Sequence, residues 1–295
     1  MRRIALATCS ALPEGDPDDH VLPEAFAAIG IEADWAIWDD PLIAWAEFDL
    51  VLVRSPWDYT DKRDAFLAWA ASVPRIANPE PVLAWNTEKL YLGELAMAGL
   101  PVVPTRFVAP GDEFTDHVLE GEVVVKPTVS AGARATGRFT DQAAARAHIG
   151  HLHDTGAMAM IQPYVPSVDD EGETGLVFLG GESSHAFRKG AILQSEGVAP
   201  LVDPVGGLPA AEAMYADETI SPRDASREQR ALADWALHYV AARFGDLAYA
   251  RVDMVPGPDG APVIMELELT EPSLYLGFAP GAAERLAQVI AALLD

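Results

Sequence analysis

Ala250-Arg251-Val252-Asp253 and Val263-Ile264-Met265-Glu266-Leu267-Glu268-Leu269 decide the reading of this chain. Both are short apolar runs interrupted by charge. Pro256-Gly257-Pro258-Asp259-Gly260 lies between them and has turn composition, so the pair reads as a hairpin. Glu266 and Glu268 are two positions apart and share one face of a strand. Two carboxylates side by side repel each other, and Asp253 can sit across from them on the neighbouring strand. Three converging oxygen donors need a cation. Mg²⁺ suits hard oxygen ligands, and it takes one or two carboxylates plus substrate phosphates, which points to a nucleotide. On this reading, replacing one of the pair with Gln does little harm to folding without metal. The alternative is the solvated face of a hairpin that holds no metal, and the two segments alone leave both open.

The lysines are the next signal. Of 20 Lys and Arg residues only four are lysine: Lys62, Lys89, Lys126 and Lys189. Lysine is a compact charge on a mobile stem and a common phosphate binder. Lys126 closes the apolar run Val123–Val125 and is followed by Pro127 and the small-residue stretch Thr128–Ala133, a loop able to bring backbone N–H groups to a phosphate. Lys89 follows Trp85-Asn86-Thr87-Glu88, which reads as a helix start with Asn86 or Thr87 as cap. Each lysine taken singly could be a solvated surface residue. The chain lacks G-x-x-x-x-G-K-[ST], so it is not a P-loop protein.

The order of these segments resembles that of the ATP-grasp ligases, in their glutathione synthetase-like branch. Asn86-Thr87-x-Lys89 is followed by Val124-Val125-Lys126-Pro127 and its Gly/Ser loop, Ile161-Gln162-Pro163-Tyr164-Val165, an acidic stretch with Glu173, Arg251-x-Asp253 and Glu266-x-Glu268. The spacing 266 − 253 = 13 and the Arg-x-Asp are similar to those of D-alanine–D-alanine ligases. The family usually ends the last motif as Glu-x-Asn, and here Glu268 stands at the Asn position. Arg54-Ser55-x-Trp57-Asp58-Tyr59 and Glu266-Leu-Glu-Leu-x-Glu271-Pro-Ser-Leu look most like the cyclo-ligase branch of D-cycloserine biosynthesis, which closes O-ureido-D-serine into a ring.

The resemblance implies a three-lobed α/β fold with ATP held between a central lid lobe and a C-terminal lobe. The expected lobes are 1–104, 105–165 and 166–295. It implies that Lys89 and Lys126 hold the α- and β-phosphates and that Ser130 to Gly132 form a mobile lid over the γ-phosphate. Gln162 and the backbone of Tyr164 and Val165 would meet the adenine, and Glu173 the ribose. Asp253, Glu266 and Glu268 would hold Mg²⁺, while Arg251 steadies the transferring phosphoryl group and the oxyanion. The implied activity is ADP-forming: ATP phosphorylates a small amino-acid-like carboxylate, and a nitrogen then attacks the acyl phosphate to form an amide or ring C–N bond. Such chemistry depends on positioning, charge neutralisation and exclusion of water. The competing class is a catalytically silent ATP-binding sensor of the same fold, against which the retention of Arg251 with three carboxylates argues.

Two further segments offer substrate contacts. Arg54, Ser55 and Trp57 follow an apolar strand, where open α/β sheets bind ligands. Arg188 and Lys189 end the strand-like Ser184–Lys189, with Arg188 as a clamp for a carboxylate or acyl phosphate and Lys189 beside the substrate. His148, His151 and His153 read as an exposed polar helix end.

Composition sets the outer bounds. The net charge of −25 disfavours nucleic acid and anionic membranes as partners. The single cysteine, Cys9, excludes an internal disulfide framework and fits a reducing cytoplasm. No apolar run is long enough to span a bilayer. Arg2-Arg3 before an apolar stretch superficially suggests a signal peptide, but the acidic Pro13–His20 favours a first strand. A homodimer is compatible with the family resemblance. Strands are expected at Ile4–Ala7, Ala33–Ile37 and Leu50–Arg54, alternating with helices over Leu22–Ile29 and Lys62–Ala71. That alternation argues a parallel sheet. A closing helix spans Ala282–Leu294, and Asp203–Pro222 reads as a surface loop.

Overall fold

The computed structural model describes residues 1–191, 193, 197–198 and 219–294. Continuous apolar runs in the first third form β1 (Arg2–Thr8), β2 (Ile31–Ile37), β3 (Leu50–Ser55) and β4 (Ile76–Ala77), paired in parallel in the order β2-β1-β3-β4. Every residue of β3 is buried, as a strand covered on both faces requires. α1 (Leu22–Ala27) and α2 (Arg63–Ser72) provide covering helices. The expected cap at Asn86 or Thr87 is corrected. α3 (Glu80–Asn86) ends there, with Thr87 N–H donating to Leu83 O (2.9 Å), and α4 (Tyr91–Met97) starts further on. Lys89 therefore lies in the link between two helices.

The second sheet is built from β5 (Arg106–Val108), β6 (Val123–Pro127), β7 (Gly137–Phe139) and β8 (Ala159–Pro163), with α5 (Gln142–Asp154) packed on it. Its order is β11-β7-β6-β8-β5 and its pairings are antiparallel, with β11 (Gly197–Val198) joining from beyond residue 165. The helix end at His148–His153 is not simply exposed. His148 is buried with Nε2 2.9 Å from Ala135 O, and His153 Nε2 lies 3.0 Å from Val108 O.

The third sheet follows α6 (Ser167–Asp170). It contains β9 (Glu173–Leu179), β10 (Glu182–Lys189), β12 (Ile220–Arg223), β13 (Tyr249–Pro256) and β14 (Pro262–Glu268), in the antiparallel order β12-β10-β9-β13-β14. Most of the loop expected at Asp203–Pro222, residues 203–218, lies outside the described residues. Its last three residues are not loop but strand, in edge position, where a proline costs no ladder bond. One face of this sheet (Leu176, Ala186, Val252, Met254) packs on α7 (Arg227–Phe244). The other face (Val177, Phe187, Tyr249) shares a core with Ile4, Leu6 and Leu52 of the first sheet and with α8 (Ala282–Leu293). Charged residues occupy the end of that second face. Val103 N–H donates to Ile264 O and Ile264 N–H to Pro101 O, both at 2.9 Å, so the chain runs along β14 before entering the second sheet.

Candidate active site at the end of the third sheet

The hairpin of β13 and β14 brings Asp253 directly opposite Glu266, and Arg251 opposite Glu268. A bulge lies between Asp253 and Met254 in the pairing, because Met254 pairs with Ile264 while Met265 is left over. Without that extra residue Ile264 and Glu266 would face the same way. With it, Ile264 and Leu267 both enter the α7-side core, and Glu266 and Glu268 point into the cleft. Asn86 braces this edge. Its side chain donates to Leu267 O (2.7 Å) and accepts from Leu269 N–H (2.8 Å), the two residues flanking Glu268. Tyr91 OH accepts from Leu267 N–H at 3.0 Å.

Three of the four lysines act electrostatically on Glu266, and one of them, Lys89, touches it. Lys89 Nζ lies 3.1 Å from the Glu266 carboxylate. Against the upward push of burial, Lys89, Lys126 and Lys189 hold Glu266 down at about 2. Lys126 comes from β6 and makes no ion pair or side-chain hydrogen bond among the described residues. Burial lowers its affinity for a proton, and Lys89 and Lys189 add to that, while Glu266 and Glu173 oppose it. A desolvated cation without an anion of its own is a site shaped for an incoming anion. Lys62 stands apart on the surface, paired with Asp58 at 2.8 Å.

Arg251 is buried and clasps Asp253 with two bonds, of 2.9 and 2.8 Å. It also bonds Glu268, and donates to Ser273 O at 2.9 Å. Burial works against its charge, yet Asp253 and Glu268 hold its pKa well above the usual range. The guanidinium lies 5.6 Å from the Phe187 ring centroid. That ring lies across Gly175, where an added Cβ would fall 2.2 Å from it, so the glycine is required for this stacking. Burial, then Asp253 and Glu266, raise the Glu268 carboxyl to about 8 despite Arg251. The expected cage of three carboxylates is therefore corrected in geometry. Among the described residues no three His, Cys, Asp or Glu side chains converge closely enough to hold a metal by themselves. A guanidinium spans Asp253 and Glu268, and Lys89 pairs with Glu266. The donor set still fits Mg²⁺, because the oxygens are hard and the raised Glu268 carboxyl marks a spot where one guanidinium does not offset the neighbouring carboxylates, which a cation would relieve.

The loop after β6 is docked on its surroundings. Lys89 Nζ donates to Ser130 O (2.6 Å), and Lys89 N–H to Thr128 O (2.9 Å). Gly132, Ala133 and Ala135 all adopt positive φ, between 53° and 58°. Arg134 reaches the turn after β3, bonding Thr60 Oγ1 (3.1 Å) and Asp61 (2.8 Å).

The other expected contacts divide. Glu173 and Lys189 are paired across β9 and β10 on the cleft face, and Glu173 feels Lys189, Asp253 and Lys126. Gln162 shares the cleft face of the second sheet with Lys126, by strand parity, but is buried and donates to Thr105 Oγ1 (2.9 Å). The Tyr164 N–H is already engaged by Glu122 O (2.8 Å), so of its backbone only the carbonyl is left for an adenine. The Val165 carbonyl accepts from Val168 N–H at 3.1 Å. Arg188 points away from the site. One residue from Lys189, it occupies the opposite face and donates to Glu171 O (2.9 Å) and Asp170 O (3.1 Å). Arg54 is also corrected as a substrate cation. It is 1% exposed, paired with Asp19 at 2.9 Å and bonded to Pro272 O at 2.7 Å. Ser55 is buried against Thr8 (2.9 Å). Trp57 is half-buried and its Nε1 donates to Glu271 O (3.4 Å).

Asn86 as a brace, Gly175 under Phe187 and the bulge at Met265 escape a reading of the sequence. Each depends on which strands are neighbours, and only the Glu-Leu-Glu-Leu alternation hints that the outward face has been reset.

Comparison with known proteins gives a consistent picture. Residues 4–78 match the family model described as the N-terminal domain of D-cycloserine synthetase DcsG. Over 304 aligned residues the chain is 37% identical to the cycloserine biosynthesis protein DcsG of Streptomyces lavendulae, spanning 98% of this chain and 97% of that one. The crystal structure of D-cycloserine synthetase DcsG superposes with a TM-score of 0.83 at 34% identity, covering 99% of this chain and 100% of that chain. An ATP complex of D-alanine–D-alanine ligase from Bacillus anthracis shares the fold, with a TM-score of 0.67 at 15% identity over 100% and 97% of the two chains.

Proposed function

Because the chain belongs to the D-cycloserine synthetase family of ATP-grasp ligases, we propose that it phosphorylates a small amino-acid-like carboxylate and then forms a C–N bond at the activated carbonyl. It is an ATP-dependent ligase; the substrate class and the residue roles are the proposal. The observation that carries it is the Lys89–Glu266 ion pair, on the strand position opposite Asp253, beside the Arg251–Asp253–Glu268 cluster, with Lys126 and Lys189 acting on the same carboxylate. In a chain of net charge −25, three of the four lysines bear on one carboxylate, and their positive charge suits the phosphates of a nucleotide.

Lys126 and Lys89 are the phosphate ligands on this reading, with Lys189 beside the transferring group. Asp253, Glu266 and Glu268 would hold Mg²⁺, which when bound neutralises charge on the phosphates. Arg251 is released from one of its carboxylates to face the developing negative charge. Ser130 and Gly132 belong to the loop that closes over the phosphates and keeps water from the acyl phosphate. Gln162 and the chain at Tyr164 and Val165 line the base end, with Glu173 further along the cleft. Residues 1–104, 105–165 and 166–295 act as the three lobes. Trp57 remains at the substrate side, whereas Arg54, Ser55 and Arg188 support structure. O-ureido-D-serine is the first substrate to test, since it carries a carboxylate and its own nitrogen nucleophile. Among the described residues no helix is long and apolar enough to cross a membrane. The acidic charge and single cysteine support a cytoplasmic enzyme without nucleic-acid or membrane partners.

The test is product identity. Turnover of O-ureido-D-serine or a related amino acid should release ADP and phosphate in step with product. AMP and pyrophosphate would overturn the acyl phosphate route, and tight ATP binding without turnover on any candidate would favour a silent sensor. Lys126→Met should weaken ATP binding on the order of ten- to a thousandfold with an unchanged melting curve. Unchanged affinity by calorimetry would remove Lys126 from the site.

A further inference from the structure

Among the described residues, three buried side-chain polar atoms have no hydrogen-bond partner: Trp69 Nε1, Trp85 Nε1 and Thr136 Oγ1. The two indoles lie among other rings, Trp69 against Trp38, Trp45 and Phe66, and Trp85 against Tyr91 and Phe244. Their large apolar bodies account for their burial. Thr136 has no such bulk, yet it is 4% exposed. A hydroxyl withdrawn from water without a partner is destabilising, and its retention calls for a reason outside packing.

Thr136 ends the loop after β6, one residue before β7. Its neighbours set the side it faces. Ala135 before it and Phe139 after it both pack against the core under α5. Val124 pairs with Arg138 and Val125 with Gly137, so the next step of that register sets Thr136 abreast of Lys126, on the cleft face of the second sheet. The backbone here is held in place. Ala133 O accepts from Thr136 N–H at 3.0 Å, and Ala135 O lies 2.9 Å from His148 Nε2. Lys126 is the desolvated cation described above, which also makes no ion pair or side-chain hydrogen bond among the described residues. A hydroxyl and an ammonium, neither of them satisfied, therefore occupy one row of the sheet. The next row along holds Arg138, Val124 and Gln162, towards the base end of the cleft.

We propose that Thr136 is a phosphate ligand, its Oγ1–H donating to a phosphate oxygen of the nucleotide beside Lys126. This rests on the nucleotide reading above. The donor set selects the ligand class, since a hydroxyl next to an ammonium suits an anion that offers several oxygens. Threonine is also the right kind of donor for this place. It adds a hydrogen bond without adding repulsion towards Lys126, as a second cation would. The hydroxyl has already lost its water in the free protein, so a phosphate gains the bond without a further desolvation cost on this side. As the loop stands the hydroxyl is covered. A phosphate reaches it when the loop lifts, which requires the Arg134 contacts to Thr60 and Asp61 to break.

The experiment exploits an expected opposition of sign. Thr136→Val keeps the shape of the side chain and removes the hydroxyl, and Thr136→Ser keeps the hydroxyl. Each is compared with the parent in thermal melts without nucleotide, and in calorimetric titration with Mg·ATP and with adenosine. Thr136→Val should melt no lower than the parent, because a methyl group replaces an unsatisfied hydroxyl. The same variant should bind Mg·ATP about ten- to a hundredfold more weakly, the range for a hydrogen bond to a charged group. Its affinity for adenosine, which has no phosphate, should stay within about twofold of the parent, since no bond to phosphate is lost. Thr136→Ser should bind Mg·ATP within a few-fold of the parent. Parental Mg·ATP affinity in Thr136→Val overturns the proposal. So does an equal loss for Mg·ATP and adenosine, which marks a disturbed pocket, or a melt well below the parent, which marks a hydroxyl with a structural partner. If Lys126→Met weakens Mg·ATP and Thr136→Val does not, this proposal alone fails. A parent that does not bind Mg·ATP overturns the nucleotide reading itself, and this proposal with it.

Discussion

Glu266 and Glu268 sit two positions apart on one strand, and their protons are displaced in opposite directions. Three lysines hold Glu266 at about 2, below the usual carboxylate value of about 4.3, so its contribution to stability is present above that usual value and is lost as pH falls through about 2. Glu268 is raised to about 8, so its contribution is present at low pH and is lost as pH rises through about 8. In chelated, nucleotide-free protein, Glu268→Gln should melt progressively higher than the parent as pH goes from 5 to 9. Glu266→Gln should melt lower across the same range, because it removes the carboxylate paired with Lys89. This reverses the expectation from sequence that removing Glu266 relieves repulsion. Melting curves that shift in the same direction for both variants would show that the lysines do not separate the two carboxylates. With Mg²⁺ and ATP present, both changes should remove most activity.

At the scale of elements, the loop after β6 is fastened at two points. Lys89 holds Ser130, and Arg134 reaches across to Thr60 and Asp61 in the turn after β3. The sequence suggests a loop with little to pack against, whereas the fold gives it specific partners. Any opening must break the Arg134 contacts. These are part-exposed and each is worth about 1 kcal/mol or less. Arg134→Ala should therefore increase hydrogen exchange over residues 130–136 a few-fold in the free protein, and Mg·ATP should restore protection. Equal exchange in parent and variant, with and without nucleotide, would mean that the loop is held by other contacts. The positive φ at Ala133 and Ala135 is a second constraint on this loop. Glycine at either position should relax it, since only glycine adopts that conformation without cost.

Across the whole molecule, Arg54, paired with Asp19 beside the first sheet, reaches the loop that follows β14 through Pro272 O. Both side chains are fully buried, at 0% and 1% exposure, and Arg54 also carries Pro272 O. Removing the arginine strands a buried carboxylate. Arg54→Met should cost about 3–5 kcal/mol of stability. Asp19→Asn with Arg54→Met together should recover much of the stability, because the unpaired charge is gone. A single variant as stable as the parent by chemical denaturation would show that Asp19 does not depend on Arg54 for its charge.

Much of this architecture is legible in the chain, because the signals are local. Continuous apolar runs with intervening helical periods gave the parallel first sheet, now seen as β1 to β4. The hairpin around Pro256–Gly260 placed Asp253 across from Glu266. The scarcity of lysine marked Lys89, Lys126 and Lys189 for one purpose. What the chain could not disclose depends on partners distant in sequence. Arg54 looks like a free cation until Asp19 and Pro272 are folded against it, and Arg188 looks like a neighbour of Lys189 until pleating sends them to opposite faces. Asn86 looks like a helix cap until β14 arrives beside it. The stretch Thr270–Ser273 has no marked pattern in sequence, and its carbonyls are fixed only when Tyr249, Trp57, Arg54 and Arg251 converge on them. Local propensity and spacing determine which elements form. Which charge is neutralised, and which is left exposed to a ligand, is decided by desolvation and by contacts across more than a hundred residues of chain, and these exist only in the folded molecule.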